Sequence, residues 1–146
     1  MVLEFYLLRA YTRFMLSPCH CTNLRLATRK VSGLYDTALA PAGINVAQYS
    51  LLRTIAGHEP VSLTTLSRIT DLDRSTIGRN VRVLERMDLV TLARGSDQRE
   101  AVVQLSANGN KVLSQATPLW EACQKSVEER LGPQLHETVR AFLQAV

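Results

Sequence analysis

Residues 62–105 read SLTTLSRITDLDRSTIGRNVRVLERMDLVTLARGSDQREAVVQL, and the change of hydrophobic period inside this stretch decides the fold. Ser62 is a good N-cap for a short helix with inward positions Leu63, Leu66 and Ile69, and the polar Thr70 and Asp71 break it. Asp73 caps a second helix over 74–87, where Ile77, Val81 and Leu84 recur on one face. Two helices joined by about four residues, the second amphipathic, form a candidate helix-turn-helix. The period then drops from about 3.6 to 2. Residues 89–93 and 101–105 are strand-like, rich in Val, Leu and Thr, and RGSDQRE between them is a polar turn. A hairpin with a charged tip follows from that order.

Outward from this stretch the chain reads as helix. Leu24, Ala27, Val31, Leu34, Tyr35, Ala38 and Leu39 recur at helical spacing over 19–39, and Pro41, Ala42 and Gly43 stop that run. A second helix, 46–56, carries Tyr49, Leu51, Leu52 and Ile55 and ends at Gly57, with Pro60 beyond. Ser106 caps a long helix through residue 131, which Pro118 is expected to bend or interrupt. Gly132 and Pro133 end it, and a last amphipathic helix sets Leu135, Val139, Phe142 and Leu143 on one side. The expected fold is therefore mainly α with a small β-hairpin.

The chain of 146 residues is the length of one ordinary globular domain. Its formal charge of +4 permits a polyanionic partner without demanding one, but the basic residues are 14 Arg to 3 Lys. Arg offers the planar fork that suits phosphates and guanine edges, although a GC-rich genome would give the same excess. Their placement is informative. At about 100° per residue, Ser75, Arg79, Arg82 and Arg86 fall opposite the Ile77, Val81 and Leu84 face, with Thr76 and Asn80 flanking it. Short hydroxyls, Arg and Asn are the side chains that hydrogen-bond phosphates and base edges, while the bland alternative is a solvated helix face. In the hairpin, Arg94 and Arg99 edge the loop, and Asp97 can brace Arg99 through a charge-assisted hydrogen bond. Such an Arg beside a groove-entering helix suits the minor groove; the alternative is an edge blunted by charge.

These segments together resemble the winged helix-turn-helix of the multiple antibiotic resistance regulator (MarR) family. The resemblance runs through VAQYSLLRTIA, SLTTLSRIT, DRSTIGRNVRVLERMDLV, the wing RGSDQRE with its Asp-x-Arg, and LSANG opening the next helix, and with the flanking helices it covers residues 20–146. It implies a homodimeric bacterial transcription regulator, a repressor acting on a pseudo-palindromic double-stranded DNA operator. Residues 46–106 would form the winged helix-turn-helix, 19–45 and 107–146 the dimerisation helices, and 1–18 a leader of uncertain role. By the same resemblance Ser75, Thr76, Arg79 and Asn80 would meet bases and phosphates, Thr64 and Thr65 would touch backbone, and Arg99 would enter the minor groove with Asp97 orienting it. Release would follow from a small aromatic or lipophilic effector or from thiol oxidation. Tyr35, Tyr49 and Trp120 are candidates to line an effector pocket, with core packing the default reading of each.

Charge by segment fits this division. Residues 62–99 hold seven basic and five acidic groups, whereas 100–146 hold four and five. The C-terminal helices suit packing against another protein chain better than binding DNA.

Three cysteines cannot all pair within one chain, so a reducing cytoplasmic compartment is expected. Cys19 and Cys21, separated by His20, would point about 200° apart inside a regular helix. Three readings compete there: inert residues at a helix start, a redox-sensing thiol near Arg25 and the helix N-terminus, and a metal site, the last disfavoured by its spacing. No cofactor or metal is expected. Glu4, Arg9 and Arg13 interrupt the apolar first sixteen residues, which argues against a signal peptide or membrane span, and Met15 is an alternative start. Enzymatic readings find little, since His20, His58 and His136 are scattered and no GxSxG, HExxH or Gly-rich phosphate loop occurs. Besides a DNA reader, the chain could be a winged-helix protein-interaction module or a thiol or metal sensor acting through Cys19 and Cys21.

Overall fold

Side-chain caps define where the four helices between residues 46 and 131 of the computed structural model begin. It describes residues 17–94 and 101–146, so the leader, apart from residues 17 and 18, and the tip of the wing lie outside the described residues. Helix α1 spans His20–Leu39, and a 3-10 turn over Ala40–Ala42 follows it, closed by Gly43 at φ 73°, a left-handed conformation that glycine adopts without strain. Asn45 then opens α2, Val46–Ala56, with a capping box: its side chain accepts from the Gln48 N–H, and Gln48 Oε1 accepts from the Asn45 N–H, each at 2.9 Å. Strand β1 is the two-residue segment Val61–Ser62. Ser62 also caps α3, Leu63–Thr70, by accepting from the Thr65 N–H at 3.1 Å.

Asp71 ends α3 in the left-handed conformation at φ 52°, and Asp73 caps α4, Arg74–Arg86. At the far end of α4, Asp88 is left-handed at φ 57°, the Leu89 N–H returns to the Leu84 carbonyl and the Asp88 N–H to that of Glu85. This Schellman closure reverses the chain into β2, Val90–Arg94. Strand β3, Ala101–Leu105, pairs antiparallel with β2 from Val90 opposite Leu105 to Arg94 opposite Ala101, and with β1 through Val61 opposite Val103. The sheet order is β1, β3, β2. Ser106 caps α5, Ala107–Leu131, which ends at Gly132, and α6 covers Gln134–Ala145.

Two units divide the chain, the first ending at Gly33 and the second running from Leu34 to Val146. The core of the second is apolar throughout: Leu52, Ile55, Leu66, Ile77 and Val103 are fully buried, and no polar or charged residue is buried among the described residues. Burying one such aliphatic side chain is worth about 1.5–3 kcal/mol, and Leu66 of α3 and Ile77, Val81 and Leu84 of α4 bury theirs in one shared core.

The structure departs from the sequence reading in several places: α1 starts and α4 ends one residue inside the expected bounds. A third strand, β1, completes the sheet. Leu89 belongs to the Schellman closure, so β2 starts one residue later than expected. Ile69 is 43% exposed rather than inward, because α3 stops one residue further on and its last turn lies at the rim. Helix α5 passes Pro118 without interruption.

Candidate nucleic-acid interface

Helix α4 has two faces of opposite chemistry. Ile77, Val81 and Leu84 are buried, while Ser75, Arg79, Asn80, Arg82 and Arg86 are exposed and Thr76 is half-buried at the margin. The helical wheel thus describes the real surface. Leu63, half-buried, and Leu66 anchor α3 beneath it, leaving Thr65 exposed and Thr64 half-buried at the start of that helix. The Ser62 hydroxyl donates to Thr65 Oγ1 at 3.1 Å, so Thr65 is held at the cap.

The first turn of α4 is ordered by Asp73, which the sequence marked only as a cap. Its carboxylate accepts from the Thr76 N–H at 2.9 Å, the Ser75 hydroxyl at 2.5 Å and the Thr76 hydroxyl at 2.6 Å. The Ser75 hydroxyl, followed by that of Thr76, holds the Asp73 carboxyl well below the usual carboxylate range. Arg79 in turn donates to Thr76 Oγ1 at 3.0 Å. One connected network therefore joins three of the expected reading residues, and its signal in the sequence is an Asp two and three positions before a Ser-Thr pair. Arg94 closes β2 opposite Ala101, whereas Asp97 and Arg99 lie outside the described residues.

Away from α4, the three aromatic candidates come together within the second unit. Tyr49 is 2% exposed and stacks on Trp120 with ring centroids 5.6 Å apart; Tyr35, also buried, lies 6.5 Å from the same indole. The Arg53 guanidinium sits 4.9 Å above the Trp120 ring, a cation–π contact that the sequence reading missed because its partners are 67 residues apart. Tyr35 donates a short hydrogen bond to Gln124 Oε1, and Gln124 donates to Glu128 at 2.7 Å. Burial, with Cys123 and Glu128 adding to it, raises the Tyr35 phenol pKa.

Cys19 lies just before α1 and Cys21 in its first turn, both exposed. The Cys19 carbonyl accepts the Asn23 N–H at 3.2 Å, and Asn23 is tied to Ser17 by two further hydrogen bonds. The Thr22 hydroxyl and then its backbone N–H stabilise the thiolate of Cys19 and lower its pKa. Burial pushes the Cys123 thiol the other way. Among the described residues no group of three His, Cys, Asp or Glu side chains is placed to hold a metal ion, and no helix is long and apolar enough to cross a membrane.

Two packed helices, the second with a polar outer face, followed by an antiparallel hairpin define a winged helix-turn-helix. A sequence model of the MarR family matches residues 42–100. The chain is similar to the transcriptional regulator MosR of M. tuberculosis, solved in complex with DNA, at 32% identity over 87% of this chain and 95% of that one, with a TM-score of 0.78. It shares its fold with S. aureus MepR in a DNA complex, at 17% identity, covering 88% and 96% of the two chains with a TM-score of 0.76. A mutant of E. coli MarR complexed with operator DNA gives 19% identity, 84% and 89% coverage and a TM-score of 0.74. No curated protein sequence matches the chain. This chain belongs to the MarR family of transcription regulators, whose members are not enzymes.

Proposed function

We propose that the chain is a homodimeric, sequence-specific DNA-binding repressor. Each subunit places α4 in the major groove, so that Ser75, Thr76, Arg79 and Asn80 meet base edges and phosphates while Arg82 and Arg86 engage the backbone. Thr64 and Thr65 touch backbone from α3, and the wing, from Arg94 to Arg99 with Asp97 bracing Arg99, follows the minor groove. The observation that carries this reading is the exposed face of α4 formed by Ser75, Arg79, Arg82 and Arg86, set opposite its buried face, with Asn80 exposed beside it.

Dimerisation is assigned to residues 19–45 and 107–146, with 46–106 as the DNA-binding region. Helix α6 supports it: Leu135, Val139, Phe142 and Leu143 are all 36% or more exposed on a helix whose apolar side faces no core. Two-fold protein symmetry then requires a roughly two-fold operator. The protein would act in the cytoplasm.

Binding of the purified chain to duplex DNA from upstream of its own gene, followed by fluorescence anisotropy, tests this reading. Salt-sensitive binding that weakens in Arg79→Ala and Arg99→Ala supports it; binding unchanged in both variants, or absent, removes it and favours a protein-interaction role.

Release is assigned to a small aromatic or lipophilic effector or to thiol oxidation, and the acidified, exposed Cys19 favours the thiol route. Peroxide would take its thiolate to a sulfenic acid and be reduced to water; a cysteine of another subunit could then displace a second water to form a disulfide. DNA affinity that falls after peroxide in wild type but not in Cys19→Ser or Cys21→Ser supports the switch. Equal affinities throughout eliminate it.

A further inference from the structure

A hydroxyl can both donate and accept, so Ser and Thr on a reading helix ordinarily suit either kind of base edge. On α4 that freedom has been removed. The carboxylate of Asp73 is acceptor-only, and both the Ser75 and the Thr76 hydroxyl donate to it, at 2.5 and 2.6 Å. Thr76 Oγ1 also receives the Arg79 guanidinium. What remains outward on Ser75 is lone pairs without a proton.

We propose that Asp73 is a specificity-determining positioning residue: by accepting hydrogen bonds from the hydroxyls of Ser75 and Thr76 it makes the Ser75 hydroxyl an obligate acceptor, which selects a base presenting an exocyclic amino group in the major groove. Cytosine N4 and adenine N6 present such donors in the major groove, whereas guanine O6 and N7 and thymine O4 are acceptors that would oppose the Ser75 lone pairs. Of the contacts assigned to α4 above, the Ser75 hydroxyl is thus left with base edges alone: a phosphate, an acceptor like it, is excluded for the same reason, and the adjacent Asp73 charge repels it further. The low pKa of Asp73 keeps the arrangement intact at neutral pH. Arg79 spends one donor on Thr76 and keeps the rest of its fork for the neighbouring base or phosphate. The inference rests on the DNA-reading role of α4 proposed above.

Selection of binding sites from a random duplex pool by the full chain, compared between wild type, Ser75→Ala and Asp73→Ser, tests it. Serine is as good an N-cap as aspartate, so Asp73→Ser can keep the bond from the Thr76 N–H while lacking the acceptor sites to hold both hydroxyls as donors. Wild-type sites should restrict one position per half-site to cytosine or adenine, and placing thymine or guanine there should weaken binding about tenfold. Ser75→Ala should make that position indifferent and leave the others alone; Asp73→Ser should admit guanine and thymine at less than about a threefold loss. Should Asp73→Ser lose its helical signal, Asp73→Asn, which keeps the amide oxygen as cap, takes its place. A Ser75-dependent position that already accepts guanine or thymine in wild type overturns the inference, as does a selected sequence unchanged in the Asp73 variants. Failure of wild type to enrich any sequence strikes instead at the DNA-reading role itself, and the inference falls with it.

Discussion

The backbone of Gly109 lies against Leu89 so closely that a Cβ on Gly109 would fall 1.8 Å from the Leu89 carbonyl oxygen. That carbonyl also accepts the Ser106 N–H at 3.1 Å, and the Ser106 hydroxyl donates to the Asp88 carbonyl at 2.6 Å. The first turn of α5 is thus locked onto the reversal between α4 and the wing. Ser-x-x-Gly at 106–109 serves a backbone approach as well as a cap, since the Ser106 hydroxyl oxygen accepts the Gly109 N–H at 2.8 Å.

Gly109→Ala should therefore destabilise the fold by about 2–3 kcal/mol, the usual scale of overpacking where the obstacle is backbone. Urea denaturation followed by circular dichroism checks it. A loss below about 0.5 kcal/mol, the range of a neutral surface change, would mean the two segments separate easily.

Stability should carry a trace of Asp73. Its carboxyl titrates below its unfolded value of about 4, because Ser75 and Thr76 donate to the ionised form. A depressed folded pKa gives stability that is fully present above the unfolded pKa and lost as pH falls through the folded one. Relative to Asp73→Asn, which has nothing to titrate, wild type should hold a constant advantage above about pH 5 and lose it progressively below about pH 4. Denaturation of both proteins from pH 7 down to pH 3 measures the difference; an advantage that grows toward acid would contradict the network.

Trp120, the chain's single tryptophan, reports on the aromatic cluster. Tyr49→Ala should cost about 3–5 kcal/mol, since a fully buried ring is removed. Tyr49→Phe should cost little, because the hydroxyl reaches Thr117 only at 3.5 Å. Arg53→Ala should lose about 0.5–1 kcal/mol and change the Trp120 emission, as the cation above the indole is gone. Tryptophan fluorescence across a denaturant series reads all three.

Helix α6 should decide assembly. Phe142→Glu with Leu143→Glu places charge on a face that is 44% and 67% exposed in the single chain, so the chain's own fold should tolerate it while a dimer should not. Sedimentation equilibrium is expected to give a dimer for wild type and a large shift toward monomer for the variant. An unchanged association would place the interface elsewhere.

Much of this was legible because polar punctuation is local. Ser62, Asp73 and Ser106 each cap the helix their sequence context announced, and the outward face of α4 follows from periodicity alone. What escaped was non-local. Strand β1 is two residues long and exists only because Val103 pairs with Val61 from 42 positions away. Arg53 meets Trp120 across a wider gap of 67 positions, and the period sets Ile69 inward although a helix of eight residues is too short to enforce it. Pro118 is exposed inside an unbroken α5 although proline lacks an N–H, with Ala116 buried in the core and Trp120 packed against it on either side.

The salt dependence of affinity for the operator duplex tests the central claim most directly. For the wild-type protein, log K should fall steeply and linearly with log salt, by about 0.9 for each phosphate neutralised. Arg82→Ala and Arg86→Ala should each flatten the slope by about one while weakening binding to all duplexes alike, and Arg79→Ala should weaken the preferred sequence most. A slope near zero, or one unmoved by any of these three substitutions, would contradict the assignment of α4 as the DNA-reading helix.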